Sequence, residues 1–202
     1  MRRIIRWGGV AAAVSTALVV TASAAYPTPA TARVTGSAEF VLPYWPDDDV
    51  RSFVFDARAE PYSRPLPGLP GGSPADATGA VRVSHWVAGL DRTVTFEAAV
   101  DCMITSPGNA SLTAVVTRAD VEVRDWVGKR LGFSVHDGGR DHAGRSRDRV
   151  GFSWDLSADQ NDDGEWGEAR VGLCLAPAAF APVTRGGYTV AHADLVPQPA
   201  TD

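Results

Sequence analysis

A nine-residue run ending in a cysteine constrains this chain more than any other feature. In Val94-Thr95-Phe96-Glu97-Ala98-Ala99-Val100-Asp101-Cys102, apolar residues fill the even positions and polar residues most of the odd ones. Successive side chains of a β-strand point to opposite faces, so a period of two marks a strand with one buried face. The pattern predicts that Cys102 lies on that face. The other cysteine, Cys174, sits in Leu173-Cys174-Leu175, again among apolar residues, and the 202-residue chain has no third.

The same alternation recurs along the chain. Gly36 to Leu42 is a short strand. Val50 to Ala59 places Phe53, Phe55, Ala57 and Ala59 on one face. Thr78 to Ala88 places Val81, Val83, His85 and Val87 on one face and Arg82, Ser84 and Trp86 on the other. Residues 93–117 form a hairpin about Ser106-Pro107-Gly108-Asn109, where Pro and Gly suit the central positions of a type II turn. Ala119 to Val127 is a helical turn or loop. Arg130 to Val135 and Val150 to Trp154 are strands sharing Gly-Phe-Ser, joined by a Gly- and Arg-rich loop expected to be mobile. Gly187 to Leu195 is the last strand, with Tyr188, Val190 and His192 on one face.

Between these strands lie two marked loops. From Pro61 to Pro74, eight of fourteen residues are Pro or Gly, which excludes helix and central strand. Pro43 to Asp49 is a turn whose Asp47-Asp48-Asp49 triplet reads as a solvated loop in preference to a cation site. No segment sustains a 3.6-residue period. The expectation is an all-β domain of about eight mostly antiparallel strands in an up-and-down barrel, with a two-sheet sandwich as the alternative.

The N-terminus reads as an export signal: Arg2, Arg3 and Arg6 precede an uncharged run from Val10 to Ala25. Two small-x-small cleavage patterns, Ala22-Ser23-Ala24 and Ala30-Thr31-Ala32, place the end of the signal at 24 or at 32. The run is too short and Ala-rich for a bilayer anchor. Arg2-Arg3 leaves the Sec and twin-arginine routes both open. Residues 25–35 then form a loose lead-in, 36–196 a single β domain and 197–202 a tail. Loss of the three arginines takes the net charge from −5 to −8, which disfavours nucleic acid and anionic membranes as partners. In a secreted, extracellular chain two cysteines pair most simply with each other, Cys102 to Cys174, against two buried free thiols.

Chemistry-bearing motifs are sparse. The chain has no Gly-x-Ser-x-Gly elbow, no His-Glu-x-x-His, no phosphate-binding loop and no dinucleotide fingerprint. Asp159-Gln160-Asn161-Asp162-Asp163-Gly164-Glu165 matches the opening of a calcium loop, with Asp159, Asn161, Asp163 and Glu165 as ligands. Its twelfth position is Arg170 where a bidentate Glu is needed, so any calcium is held weakly, and no other cofactor is expected. The competing reading is a plain hairpin loop. His85, His192 and Asp194 are the interior polar candidates: two imidazoles facing one barrel interior could share a metal. The alternative is core histidines hydrogen-bonded to backbone or to Asp194. Trp45, Trp86, Trp126 and Trp166 fall on outer faces or in loops, where aromatics stack on sugars or bind proteins, or else cover barrel ends.

Several short segments resemble, in the same order, a group of exported actinobacterial proteins labelled repetin. They are Gly79 to His85, Val100-Asp101-Cys102, Val127 to Val135, Asp148 to Trp154 and Gly187 to Val190. The resemblance spans most of residues 36–195 and implies an exported protein of a Gram-positive soil bacterium. It implies no activity and transfers no calcium binding. The leading expectation is a non-enzymatic extracellular domain that binds a carbohydrate or a protein. The rivals are a small β-barrel enzyme of cyclase or isomerase type with an interior pocket, and a wall-associated structural protein.

Overall fold

A computed structural model describes residues 31–45, 47–140, 146–154, 158–160 and 162–198. The expected signal at 1–24 lies outside them, as do His142, Asn161 and residues 199–202 of the tail. The alternating segments form β1 (Arg33–Phe40), β2 (Val50–Ala59), β3 (Ala77–Val87), β4 (Arg92–Ser106), β5 (Asn109–Ala119), β6 (Arg130–His136) and β7 (Arg149–Phe152). A short hairpin follows, β8 (Ala158–Gln160) with β9 (Trp166–Glu168), and then β10 (Ala181–Pro182) and β11 (Arg185–Ala191). β1 begins at Arg33, so the end of the expected lead-in belongs to a strand.

Nine strands make one antiparallel sheet in the order β10-β7-β6-β5-β4-β3-β2-β1-β11, and β8–β9 stand apart as a second sheet. A single continuous sheet replaces the sandwich alternative. It curls until its two ends, β10 and β11, are one stretch of chain bent at Val183-Thr184. β10 pairs with β7, whereas β11 pairs along its whole length with β1. On the free side of β11, carboxylates take the place of a neighbouring strand. Asp148 Oδ2 accepts the Tyr188 amide at 2.7 Å and Asp137 Oδ2 accepts the Val190 amide at 3.0 Å. The loop expected to be mobile is thus anchored at both ends. Burial, reinforced by the charge of Asp148, pushes the Tyr188 phenol far above its ordinary range and keeps it protonated.

The inward face is filled by aromatic rings. Phe53 packs on Phe40, Phe55, Phe133, Phe152 and Trp154, with ring centroids 4.9–6.4 Å apart and mostly edge-to-face. Val34, Val81, Leu112, Leu131 and Val135 complete this core.

The alternation that opens the sequence is broken at its end. A β-bulge lies between Val100 and Cys102: Val100 pairs with Ala114, Cys102 with Thr113 and Met103 with Leu112. The extra residue, Asp101, reverses which face follows. Val100 and Met103 point into the core, whereas Cys102 is buried on the outer face with Thr113. This corrects the expectation that Cys102 shares a face with Phe96 and Ala98.

Residues 172–180 cross that outer face as a strap. Cys174 is disulfide-bonded to Cys102, with Cα atoms 5.2 Å apart. Ser111 Oγ donates to the Cys174 carbonyl at 2.9 Å, and the Cys174 amide donates to Thr113 Oγ1 at 3.2 Å. Farther on, the strap passes over Gly132 and Gly151. A Cβ on either would stand 2.1 Å from the Leu175 carbonyl oxygen or 2.4 Å from that of Ala178. The twin Gly-Phe-Ser motifs follow from this. Each glycine makes room outside, each Phe enters the core, and Ser153 Oγ accepts the Gly132 amide at 3.0 Å. Beneath the strap Asp101 accepts from Thr113 Oγ1 at 2.5 Å and from Arg130 Nε at 2.7 Å, so the bulged carboxylate is paired.

Candidate functional site

The inward register of β2 and β3 does not stay apolar to its end. Running back from Phe55 and Phe53, the next inward positions are Arg51 and Asp49, and Arg51 pairs directly across from His85. Three ionisable groups therefore gather at one mouth of the curled sheet. His85 Nε2 lies 2.6 Å from Asp49 Oδ2, and Asp49 Oδ1 accepts the Ala88 amide at 2.8 Å. Arg51 donates to Asp47 Oδ2 at 2.5 Å and stands 3.9 Å from Asp49. Asp49 and Arg51 are buried, while the His85 side chain is 33% exposed. The hydrogen bond from Arg51 is the main cause that holds Asp47 below the usual carboxylate range. Burial opposes it, and the Asp49 amide adds to it.

A cleft of 280 Å³ opens over this cluster, walled by Leu42, Tyr44, Trp45 and Phe152. Tyr44 and Trp45 are 51% and 57% exposed. A second, smaller space of 50 Å³ lies beside it and shares Arg51 and His85 with it. A larger concavity, 510 Å³, is on the outer face of β2 to β4. Its Glu97 receives Arg82 at 3.4 Å and Arg118 at 3.2 Å, its Asp120 accepts from Thr95, and no buried charged group lines it.

The expected site residues do not assemble as one. His85 is at the Arg51 end of β2, whereas His192 follows Ala191, which pairs with Arg33 and through it with Arg58 at the other end. The two imidazoles share no space. His192 Nδ1 is 3.0 Å from Thr105 Oγ1, and its Nε2 is 3.3 Å from the fully exposed Asp194. Asp159, Asp163 and Glu165 sit on the exposed β8–β9 hairpin, and Asn161 lies outside the described residues. Among the described residues no three His, Cys, Asp or Glu side chains converge as metal ligands. Trp86 and Trp166 are exposed away from the cleft, and Trp126 is half-buried against Phe96 and Trp154.

Asp47, Asp49 and Arg51 were legible in part: the two-residue period of β2 extends through Arg51 to Asp49. Composition masked it, because an Asp triplet after Pro reads as a turn. Comparison with known proteins gives no matching family model, no matching curated protein and no matching solved structure. Among the described residues no helix is long and apolar enough to cross a membrane.

Proposed function

We propose that this is an exported binding domain that takes a carbohydrate at the mouth built by Asp49, Arg51 and His85. One observation carries the reading: buried charged side chains form the floor of a cleft whose walls are exposed aromatic rings. A sugar needs both. Its C–H face stacks on an aromatic ring, and its hydroxyls pair with carboxylate and guanidinium groups in fixed positions. The disulfide supports export, as does the resemblance to exported repetin-labelled proteins.

The rival reading, a small barrel enzyme, draws on the Asp49–His85 pair, which orients an imidazole in a cleft. Against it, the inward face is packed with rings, and among the described residues its buried charged side chains, Asp49 and Arg51, stand at the mouth.

The test is depletion of the secreted protein by insoluble polysaccharides: peptidoglycan, chitin, cellulose and xylan. Retention by at least one, weakened tenfold or more in Trp45→Ala without a change in melting temperature, is the expected result. Retention by none, or equal retention of the variant, removes the reading. Turnover of any of these polymers that is lost in His85→Ala would establish the enzyme instead.

A further inference from the structure

We infer that the sugar bound at this mouth carries an N-acetyl group, whose methyl enters the small space beside His85. The inference rests on the carbohydrate reading and narrows its ligand to acetamido sugars.

The mouth has two compartments of different character that meet at Arg51 and His85. The 280 Å³ cleft is open, with Asp47, Asp49, Tyr44 and Trp45 on its walls, and suits a pyranose ring. The 50 Å³ slot is lined by Phe53, Val83, Val94, Phe96 and Trp154 and roofed by Val123 and Trp126, from the short 3-10 turn Val121–Trp126. The slot has less than a fifth of the volume of the cleft, so it matches a small substituent and not a pyranose ring. Its only polar walls are Arg51 and His85, at the junction. Water gains few partners in such a space, and a methyl group gains the apolar lining.

An acetamido substituent fits this division. It carries a methyl group one bond beyond a carbonyl, and an N–H beside the ring. Seated with its ring on Tyr44 and Trp45, it brings the methyl to the slot and the amide to the junction. There Arg51 is the donor, and Asp49, which already holds His85 Nε2 at 2.6 Å, is the acceptor. A sugar with a hydroxyl in that position leaves the slot empty.

The experiment titrates the secreted, disulfide-bonded protein with the trimer of N-acetylglucosamine and with cellotriose, which differs by hydroxyl in place of acetamido. One buried methyl group discriminates by about tenfold or more, so the acetylated trimer is expected to bind at least tenfold tighter. Val94→Phe, and separately Val123→Phe, fill the slot and are expected to remove that preference. Equal binding of the two trimers, with the aromatic dependence intact, overturns the acetamido inference and spares the carbohydrate reading. No binding of either trimer or of any of the polysaccharides overturns both. A preference that survives both Phe variants also overturns the inference, because the methyl then sits elsewhere.

Discussion

Asp148 Oδ2 accepts the buried amide of Tyr188 at 2.7 Å, forty residues away, and closes the seam where β11 has no strand beside it. The other oxygen of Asp148 accepts the Gly138 amide at 2.9 Å. One carboxylate thus supplies acceptors to two amides, one on β11, an end strand of the curled sheet, and one at the start of the loop that follows β6. Asp148→Ala removes both acceptors and is expected to cost about 1–3 kcal/mol for each buried donor it strands. Hydrogen exchange provides the local readout: the Tyr188 amide should lose protection while Val190, held by Asp137, keeps more of it. Unchanged exchange at Tyr188 would show that the seam is closed by other means.

The disulfide and the two glycines beneath the strap are energetically coupled. Replacing Cys102 and Cys174 by Ser frees a loop of sequence separation 72 in the unfolded chain. The chain-entropy estimate for that loop is about 4 kcal/mol. Gly132→Ala places a Cβ against the Leu175 carbonyl and should cost about 1–3 kcal/mol by overpacking. With the disulfide absent the strap can lift, so the same Gly132→Ala change should cost less. A double-mutant cycle by denaturant unfolding measures this, and additive losses would mean that the strap is held down without the disulfide.

Acid should loosen the mouth through Asp47. The Arg51 hydrogen bond sets its folded pKa below the ordinary 3.8, so the unfolded state takes up the proton first as pH falls. The stability this pair contributes is complete above 3.8 and is lost as pH drops through the lower folded value. Asp47→Asn is therefore expected to flatten the acid limb of the stability profile relative to wild type. Unfolding midpoints measured from neutral pH down to about pH 2 supply the check, and parallel acid limbs would contradict it.

The two histidines should separate by function. His85→Ala removes one of the two hydrogen-bond partners of the Asp49 carboxylate and should cost about 1–3 kcal/mol, toward the lower figure because the ring is partly exposed. It should also weaken retention on whichever polysaccharide the wild type binds by at least tenfold. His192→Ala, at the opposite end of the sheet, should lower the melting temperature and leave retention unchanged. Equal weakening in both variants would place the binding site elsewhere.

Much of the fold was readable because strand periodicity is local. The segments around Phe53, Val81, Leu112, Phe133 and Tyr188 lie in strands with their apolar residues facing inward. The hairpin about Pro107-Gly108 turns where expected, with Gly108 at φ +70°. The site was less readable. Asp49 and Arg51 continue an inward alternation, but nothing local distinguishes a charged residue at a barrel mouth from one in a solvated turn. The loop expected to be mobile hid two anchors, Asp137 and Asp148, because a carboxylate that caps a distant strand has no local pattern.

The sequence by itself determined that the chain is all-β, which residues of most strands face the core, and that Cys102 has only Cys174 to pair with. Each of these rests on near neighbours in the chain or on a count. Tertiary pairing decided the rest. A single inserted residue, Asp101, moves Cys102 from the inner face to the outer, and only the register of β4 against β5 reveals it. Asp49 and His85 are 36 residues apart and meet because β2 and β3 align Arg51 with His85. Side-chain alternation is fixed within a strand, but the partner opposite each residue is fixed by hydrogen bonding between strands, and so the candidate site exists only once the sheet has formed.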